Sequence, residues 1–284
     1  MRREIDLLRT EAVTKQGLEG GFIVQTQSLT KRFNGLAAVD ALTISIERGE
    51  IFGLVGPNGA GKTTVIKMLT TLLPPTSGSA SVDGHDIAHR AAEVRRVIGY
   101  VPQLLSADGS LTGYENLLIF SKLYDIPRKE REQRIGDVLK FMGLSDFSDK
   151  LVRTYSGGMI RRLEIAESML HRPRVLFLDE PTVGLDPVAR NMVWEHLQRL
   201  RSDYGTSIFV TTHYMDEADK LCTRMAIMHL GKIAAVGTPS ELKASVGEGA
   251  TLDDAFVYYS GGEVDSAGSY REASRVRRLA RRVG

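Results

Sequence analysis

A glycine-rich octapeptide constrains the fold of this chain more than any other feature. Residues 56–63 match the pattern G-x-x-x-x-G-K-[ST]; the apolar run Ile51–Val55 precedes them and a helical pattern follows. In that setting the glycines let the backbone wrap around phosphate oxygens, and successive N–H groups at a helix start supply positive potential. The octapeptide therefore predicts a strand, a phosphate-binding loop and a helix, and a chance glycine-rich turn is the weaker interpretation.

Several positions of this loop have expected roles. Lys62 would reach the outer phosphates, and the Thr63 hydroxyl would bind Mg²⁺. The predicted nucleotide-binding residues of the loop are Gly56, Asn58, Gly59, Ala60, Gly61, Lys62, Thr63 and Thr64.

A second apolar run, residues 175–178, ends in two carboxylates, Asp179 and Glu180. If it is a buried strand of the same sheet, Asp179 lies beside the metal, and Glu180 can orient and deprotonate an attacking water. Taken alone, such a run is more often a strand that ends in solvent. The loop at 56–63 favours the catalytic interpretation.

Ser156, Gly157 and Gly158 precede a further helical pattern. A serine hydroxyl and bare N–H groups at a helix start can bind an anion, although an ordinary N-cap followed by a turn fits the same residues. The loop at 56–63 already covers one phosphate tail. A second anion site is therefore explained if it closes over a nucleotide that another subunit binds.

Patterning divides the chain into an N-terminal extension (1–21), an α/β unit (22–240) and a C-terminal tail (241–284), looser beyond about residue 247, whose basic end carries six arginines. Apolar strands without alternation, separated by helices, indicate a parallel sheet covered on both faces. Helical periodicity over 112–142 predicts a helical lobe inserted at about 104–170. Predicted strands cover 22–24, 42–46, 51–55, 79–82, 175–178 and 207–210, with a hairpin over 225–236.

Composition narrows the class of protein. A chain of 284 residues, 42% hydrophobic and 25% charged, can bury a core of one to two domains. Its net charge of +2 gives no general reason to expect nucleic acid. One cysteine, Cys222, cannot form an internal disulfide, which fits a reducing compartment. No run approaches the ~18 apolar residues of a membrane span, so we expect membrane work to depend on other subunits.

Six motifs occur in the order typical of one family. They are the loop at 56–63, Gln103 after residues 99–102, the signature at 155–159, the strand with Asp179 and Glu180, residues 184–186, and His213 after two threonines. On these motifs, residues 22–240 resemble the nucleotide-binding subunit of an ATP-binding-cassette (ABC) transporter. The resemblance implies an α/β P-loop NTPase fold of the ABC ATPase type, with a RecA-like mixed sheet core and an inserted α-helical lobe.

The resemblance also implies roles for individual residues. Phe33 falls where the family stacks an aromatic ring on adenine, although alone it reads as a core residue. Asp186 falls in a loop that crosses the dimer interface, although it also reads as a helix cap. The implied catalytic residues are Glu180, His213, Lys62 and Gln103, the implied metal ligands are Thr63, Gln103 and Asp179, and the implied contacts to the partner's ATP are Ser156, Gly157 and Gly158.

The function implied by the resemblance is ATP hydrolysis coupled to transport, with ATP and Mg²⁺ as cofactors. Two such subunits, identical or homologous, would dimerise head to tail and drive integral-membrane permease subunits from the cytoplasmic face of the cell membrane. Residues 155–159, 212–219 and 251–256 resemble the branch of daunorubicin-resistance-type drug exporters and related lipid or polysaccharide exporters, although Met159 replaces the commonest glutamine. Export of such a cargo is the expectation.

Two other functions stay open at this point. A soluble ATPase clamp acting on ribosomes or nucleic acid would use the same dimer, and the six arginines between 271 and 282 could contact phosphates, although a solvated terminus explains them too and we expect no nucleic acid partner. A nucleotide-regulated binding module without turnover is disfavoured, because Lys62, Asp179, Glu180 and His213 are all present.

Overall fold

The computed structural model describes residues 21–260, so the predictions for the N-terminal extension up to residue 20 and for the arginine-rich end lie outside the described residues. The strands are β1 Phe22–Phe33, β2 Leu36–Leu42, β3 Ser45–Glu47, β4 Ile51–Val55, β5 Ser77–Val82, β6 His85–Asp86, β7 Ile98–Val101, β8 Val175–Asp179, β9 Ser207–Thr212, β10 Arg224–His229 and β11 Lys232–Gly237. The α-helices are α1 Lys62–Leu69, α2 Ala91–Val97, α3 Gly113–Leu123, α4 Arg128–Phe141, α5 Gly157–Met169, α6 Pro187–Tyr204, α7 Met215–Leu221, α8 Pro239–Ala244 and α9 Leu252–Tyr259.

A six-stranded sheet in the order β11-β10-β4-β9-β8-β7 forms the centre of the fold. All neighbouring strands from β10 to β7 pair in parallel, and β11 pairs antiparallel with β10. Every residue of β4 and β8 is buried. Both faces of these strands are covered, so neither sequence alternates between apolar and polar residues. The single charged residue in the two strands is Asp179, at the end of β8. The predicted α/β fold with a covered parallel sheet is confirmed.

The N-terminal strands form a separate antiparallel sheet, which the sequence pattern did not predict. Its order is β2-β1-β5-β6, and β3 also pairs with β1. Of the strands between residues 22 and 82, only β4 joins the central sheet. Register shifts along β1 interrupt its alternation of buried and exposed residues, which hides its twelve-residue length from a period-two pattern.

The predicted helical region 112–142 consists of two helices, α3 and α4. The chain between them turns at Asp125, which has a φ of 52°, and Pro127 precedes α4 as its N-cap. Proline lacks the N–H that a continuing helix needs, so the break falls here. Both helices pack against α5, so α5 belongs to the same helical region.

The chain stays packed beyond residue 240. Leu252, Ala255 and Phe256 recur at helical spacing, and this face of α9 is buried in the main hydrophobic core. The expectation of a loose segment after about residue 247 is therefore wrong for residues 252–259. Within residues 21–260, the structure contains no helix of the length and hydropathy that crossing a bilayer requires.

Candidate active site

The loop at 56–63 connects β4 to α1, and two of its glycines meet neighbouring backbone. A Cβ atom on Gly56 would lie 2.2 Å from the carbonyl oxygen of Met228 in β10. Gly61 has a φ of 109°, and its Cβ would lie 2.3 Å from the carbonyl oxygen of Ala38 in β2. Both positions therefore require glycine, because a side chain would push the loop away from the strands beside it.

Lys62 folds back over this loop. Its Nζ donates to the carbonyl oxygens of Gly56 (2.8 Å) and Pro57 (3.2 Å) and lies 3.1 Å from Oε1 of Glu180. Only 4% of the side chain is exposed. The buried ammonium group therefore contacts three oxygen atoms, as a desolvated charge requires.

Asp179 and the Thr63 hydroxyl meet at the carboxyl end of β8. Thr63 Oγ1 donates to Asp179 Oδ1 over 3.2 Å, and Thr211 of β9 donates to the same oxygen over 2.7 Å. Hydroxyl, carboxylate and amide oxygens suit Mg²⁺, which binds one or two carboxylates together with substrate phosphates. Gln103 lies two residues beyond β7, and its side-chain amide contacts the neighbouring Glu180. The ligand types predicted from the sequence therefore fit this ion.

Glu180 is held by groups from three segments: Lys62, as described above, Gln103, and the end of β9 with Thr211 and His213. Its Oε2 lies 3.0 Å from His213 Nδ1 and accepts a 3.4 Å hydrogen bond from Gln103 Nε2. Its backbone N–H donates to both the hydroxyl (3.0 Å) and the carbonyl oxygen (3.1 Å) of Thr211. The residue has a φ of 47°, an unfavourable backbone conformation that persists only where the surroundings hold it.

The pKa of Glu180 lies below its ordinary value. Burial pushes this pKa upward, but the hydrogen bond with His213 and the positive charge of Lys62 outweigh it. The carboxylate therefore stays ionised at neutral pH, which is the form that accepts a proton from water.

Ser156 is the N-cap of α5, and its Oγ accepts from the backbone N–H of Met159 over 3.3 Å. Ser156 and Gly157 are exposed, whereas Gly158 is buried. A Cβ on Gly158 would lie 2.7 Å from the Cβ of Ala189, so this glycine lets α5 approach α6. The N-cap interpretation is thus correct for the serine within this chain, and its exposed helix end remains open to a further ligand.

Two further predicted residues, Phe33 and Asp186, lie at the surface. Phe33 is 46% exposed, with Lys31 Nζ 5.3 Å from the centre of its ring, so the expectation from its residue type alone, a core position, is wrong. Asp186 is the exposed N-cap of α6 and accepts from the N–H groups of Val188 and Ala189, both over 2.9 Å.

Sequence patterns missed the residues that hold this site in place. Thr211 orients both Asp179 and Glu180, as described above. Arg161 of α5 donates to the carbonyl oxygens of Pro102 and Gln103, both over 2.7 Å, and pairs with Glu164 over 2.9 Å. The only signal in the sequence was an arginine in the middle of a helix that the structure shows to be largely buried. Arg161 connects this helix, whose N-cap is Ser156, to the segment that carries Gln103.

Comparisons with known proteins agree with this geometry. Residues 39–183 match the family described as ABC transporter. The daunorubicin/doxorubicin resistance ATP-binding protein DrrA of Streptomyces peucetius is 46% identical over 79% of this chain and 68% of its own length. The Nod factor export ATP-binding protein I of Ralstonia nicotianae is 40% identical over 83% of this chain and 73% of its own.

A solved structure of an ATP-binding subunit of an ABC transporter superposes with a TM-score of 0.75, at 28% identity, over 84% of this chain and 99% of that one. The phosphate-binding loop facing two strand-end carboxylates defines an α/β nucleotide hydrolase. The chain belongs to the ABC transporter family, as an ATP-binding domain that hydrolyses ATP.

Proposed function

We propose that this chain works as one of two ATPase subunits that close head to tail around two Mg-ATP and thereby drive a membrane permease. The contrast between its two anion sites carries the proposal. The groups around Glu180 converge on the chain's own phosphate-binding loop, whereas Ser156 and Gly157 stand exposed at the start of α5. A helix N-terminus with a serine cap suits a phosphate, and a second subunit would supply it.

In this proposal, the residues at the ends of the central strands act on the chain's own ATP. Lys62 exchanges its carbonyl contacts for the outer phosphates, and Phe33 offers its exposed ring to adenine. Glu180 accepts the proton of the attacking water, while His213 and Gln103 hold its carboxylate and face the γ-phosphate. Thr63, Asp179 and Gln103 would hold Mg²⁺, which neutralises charge on the phosphate oxygens when bound.

The proposed dimer places Ser156, Gly157 and Gly158 on the partner's ATP and Asp186 at the interface between subunits. Residues 22–240 would form the ATPase unit, with about 104–170 as its inserted helical lobe. That lobe exposes Leu104, Leu105, Ile119 and Leu123. Apolar side chains on such a surface suit a helix of a permease, which would hold the chain at the cytoplasmic face of the membrane.

Transport outward is the proposed direction, with a drug, lipid or polysaccharide as the class of cargo. Two similar proteins are named for drug resistance and for Nod factor export, and they match along most of this chain. The cargo itself would be recognised by the permease.

A mixing experiment tests the shared sites directly. Ser156→Arg would block the partner's ATP site, and Glu180→Gln would disable the chain's own, so each variant alone should hydrolyse little ATP. A mixed dimer has one composite site in which both the loop and the signature are intact. Because half of the dimers in an equal mixture are mixed and one site in two is intact, we expect about a quarter of the unmutated rate.

Recovery of activity on mixing cannot arise if each chain hydrolyses ATP alone. A Ser156→Arg chain that hydrolyses ATP at the unmutated rate would show that residues 156–158 only cap α5. Cross-linking verifies that mixed dimers form. Mixed dimers without any recovered hydrolysis would count against composite sites, and copurification of a membrane protein from detergent extracts tests the permease.

A further inference from the structure

A buried carboxylate behind the candidate active site joins three segments that the sequence keeps apart. Glu217 is 1% exposed, and its carboxylate accepts hydrogen bonds from the Thr182 hydroxyl, the Thr212 hydroxyl and the indole of Trp194, the last over 2.7 Å. Glu217 lies in the first turn of α7, where the helix N-terminus favours negative charge. The oxygens of this buried carboxyl group are therefore satisfied by hydrogen bonds.

The donors to Glu217 flank the two groups that meet at the reacting centre. Thr182 follows Glu180 by two residues, and Thr212 directly precedes His213. Thr212 Oγ1 also accepts from the N–H of Tyr214 over 3.0 Å, which leaves its own proton for Glu217. Both chain segments are thus fixed to one carboxylate.

The third donor extends this junction to α6. Trp194 is 7% exposed and lies in the helix whose N-cap is Asp186. All three partners of Glu217 lie outside the phosphate-binding loop, so Glu217 can act on the reaction only through the residues it holds. A displacement of about 1 Å between reacting groups can cost about 10²-fold in rate.

We propose that Glu217 is a positioning residue that keeps Glu180 and His213 in register for hydrolysis and links them to α6. This inference rests on the proposed role of Glu180. Three donors from three different segments bond to one buried side chain, so they define the geometry more tightly than a single contact would. Replacing the carboxylate should loosen the register while leaving the phosphate-binding loop intact.

Glu217→Gln in the full-length chain provides the test. The amide of glutamine keeps one acceptor oxygen, but its NH₂ group is itself a donor and would face hydroxyl or indole groups that also donate. We expect kcat for ATP hydrolysis to fall about 10- to 100-fold, with KM and nucleotide binding within about 2-fold of the unmutated values. Trp194 is the single tryptophan of the sequence, so its fluorescence emission should shift in the same variant.

Thr212→Val gives a second variant that leaves the carboxylate in place and removes one donor. In the double variant, we expect the loss in kcat to be smaller than the product of the two single losses, because both substitutions break the same interaction. Glu50→Gln is the matched control: Glu50 is 6% exposed and pairs with Arg224 beyond the other end of β4. This control should keep its kcat.

The inference is overturned if Glu217→Gln and Thr212→Val both retain kcat within about 2-fold. A parallel fall of nucleotide binding and hydrolysis would equally overturn it, since that indicates a structural role alone. Glu180→Gln is assayed in parallel. If it hydrolyses ATP normally, the proposed role of Glu180 fails; if it is inactive while the Glu217 variant is not, only the positioning role fails.

Discussion

The two anion-binding regions of this chain are built in opposite ways. Asp179 ends the buried strand β8, Glu180 follows it, and Lys62 at the start of α1 contacts Glu180. At most 5% of each of these residues is exposed. Ser156 lies at an exposed helix start and bonds to its own first turn. Neighbouring strand ends fix the positions of the side chains in the first region. The second region can be completed only by a group from outside this chain. One chain therefore completes only part of the reaction cycle that we propose.

The two regions are nevertheless mechanically connected. Arg161 lies five residues after Ser156 in the sequence and donates hydrogen bonds to the carbonyl oxygens of Pro102 and Gln103. Glu164, its ion-pair partner, accepts from the backbone N–H of Ser106. A displacement of α5 by an arriving nucleotide would therefore act on the segment that carries Gln103, whose amide contacts Glu180.

Glu180→Gln breaks the first region and has the largest expected effect. An amide cannot accept the proton of water, so hydrolysis should fall by about 10²- to 10⁴-fold while ATP binding persists. Phosphate release and nucleotide binding measure the two effects. Glu195→Gln, an exposed position in α6, is the matched control and should hydrolyse ATP normally. Full activity of the Glu180 variant would remove the contrast between the regions.

Gly158→Ala disturbs the second region by changing how α5 packs against α6. Its new Cβ would overlap the Cβ of Ala189, so the free energy of unfolding should fall by about 1–3 kcal/mol. Gly157→Ala is the adjacent control, because its Cβ would lie 3.4 Å from Leu185 Cδ2, at the edge of ordinary contact. Urea unfolding compares the two variants. Equal losses would mean that α5 and α6 do not meet at Gly158.

The smallest expected effect distinguishes two buried glutamates by pH. Glu180 has a lowered pKa, whereas burial, aided by the charge of Glu164, raises the pKa of Glu167 in α5 from 4.5 to about 8. The folded chain therefore keeps a proton that the unfolded chain has lost between those values, and stability falls as pH rises through this window. One proton corresponds to about 1.4 kcal/mol per pH unit at most.

Glu167→Gln should remove this slope. Urea unfolding at pH 6, 7 and 8 measures it, and the variant should gain about 2 kcal/mol relative to the unmutated chain between pH 6 and 8. Identical slopes for both proteins would show that Glu167 carries no retained proton.

Local chemistry made much of this protein predictable. The spacing of glycines, lysine and threonine at 56–63 and the apolar run before Asp179 specify a loop and a strand end through backbone requirements alone. The same reasoning predicted the covered parallel sheet. It also placed Ser156 correctly at a helix start, because serine caps and glycines favour that position whatever lies nearby.

Which of these groups come into contact depends on the three-dimensional fold. Arg161 lies in no motif, and the motifs that include Thr211 and Glu217 indicated no role for either residue. The three matter because strand order and helix packing bring them to Gln103, to Asp179 and to Thr212, the residue before His213. The separate N-terminal sheet, the exposure of Phe33 and the burial of α9 were likewise decided by long-range pairing. Periodicity records which side of an element is apolar, but it contains no information about which other element covers that side.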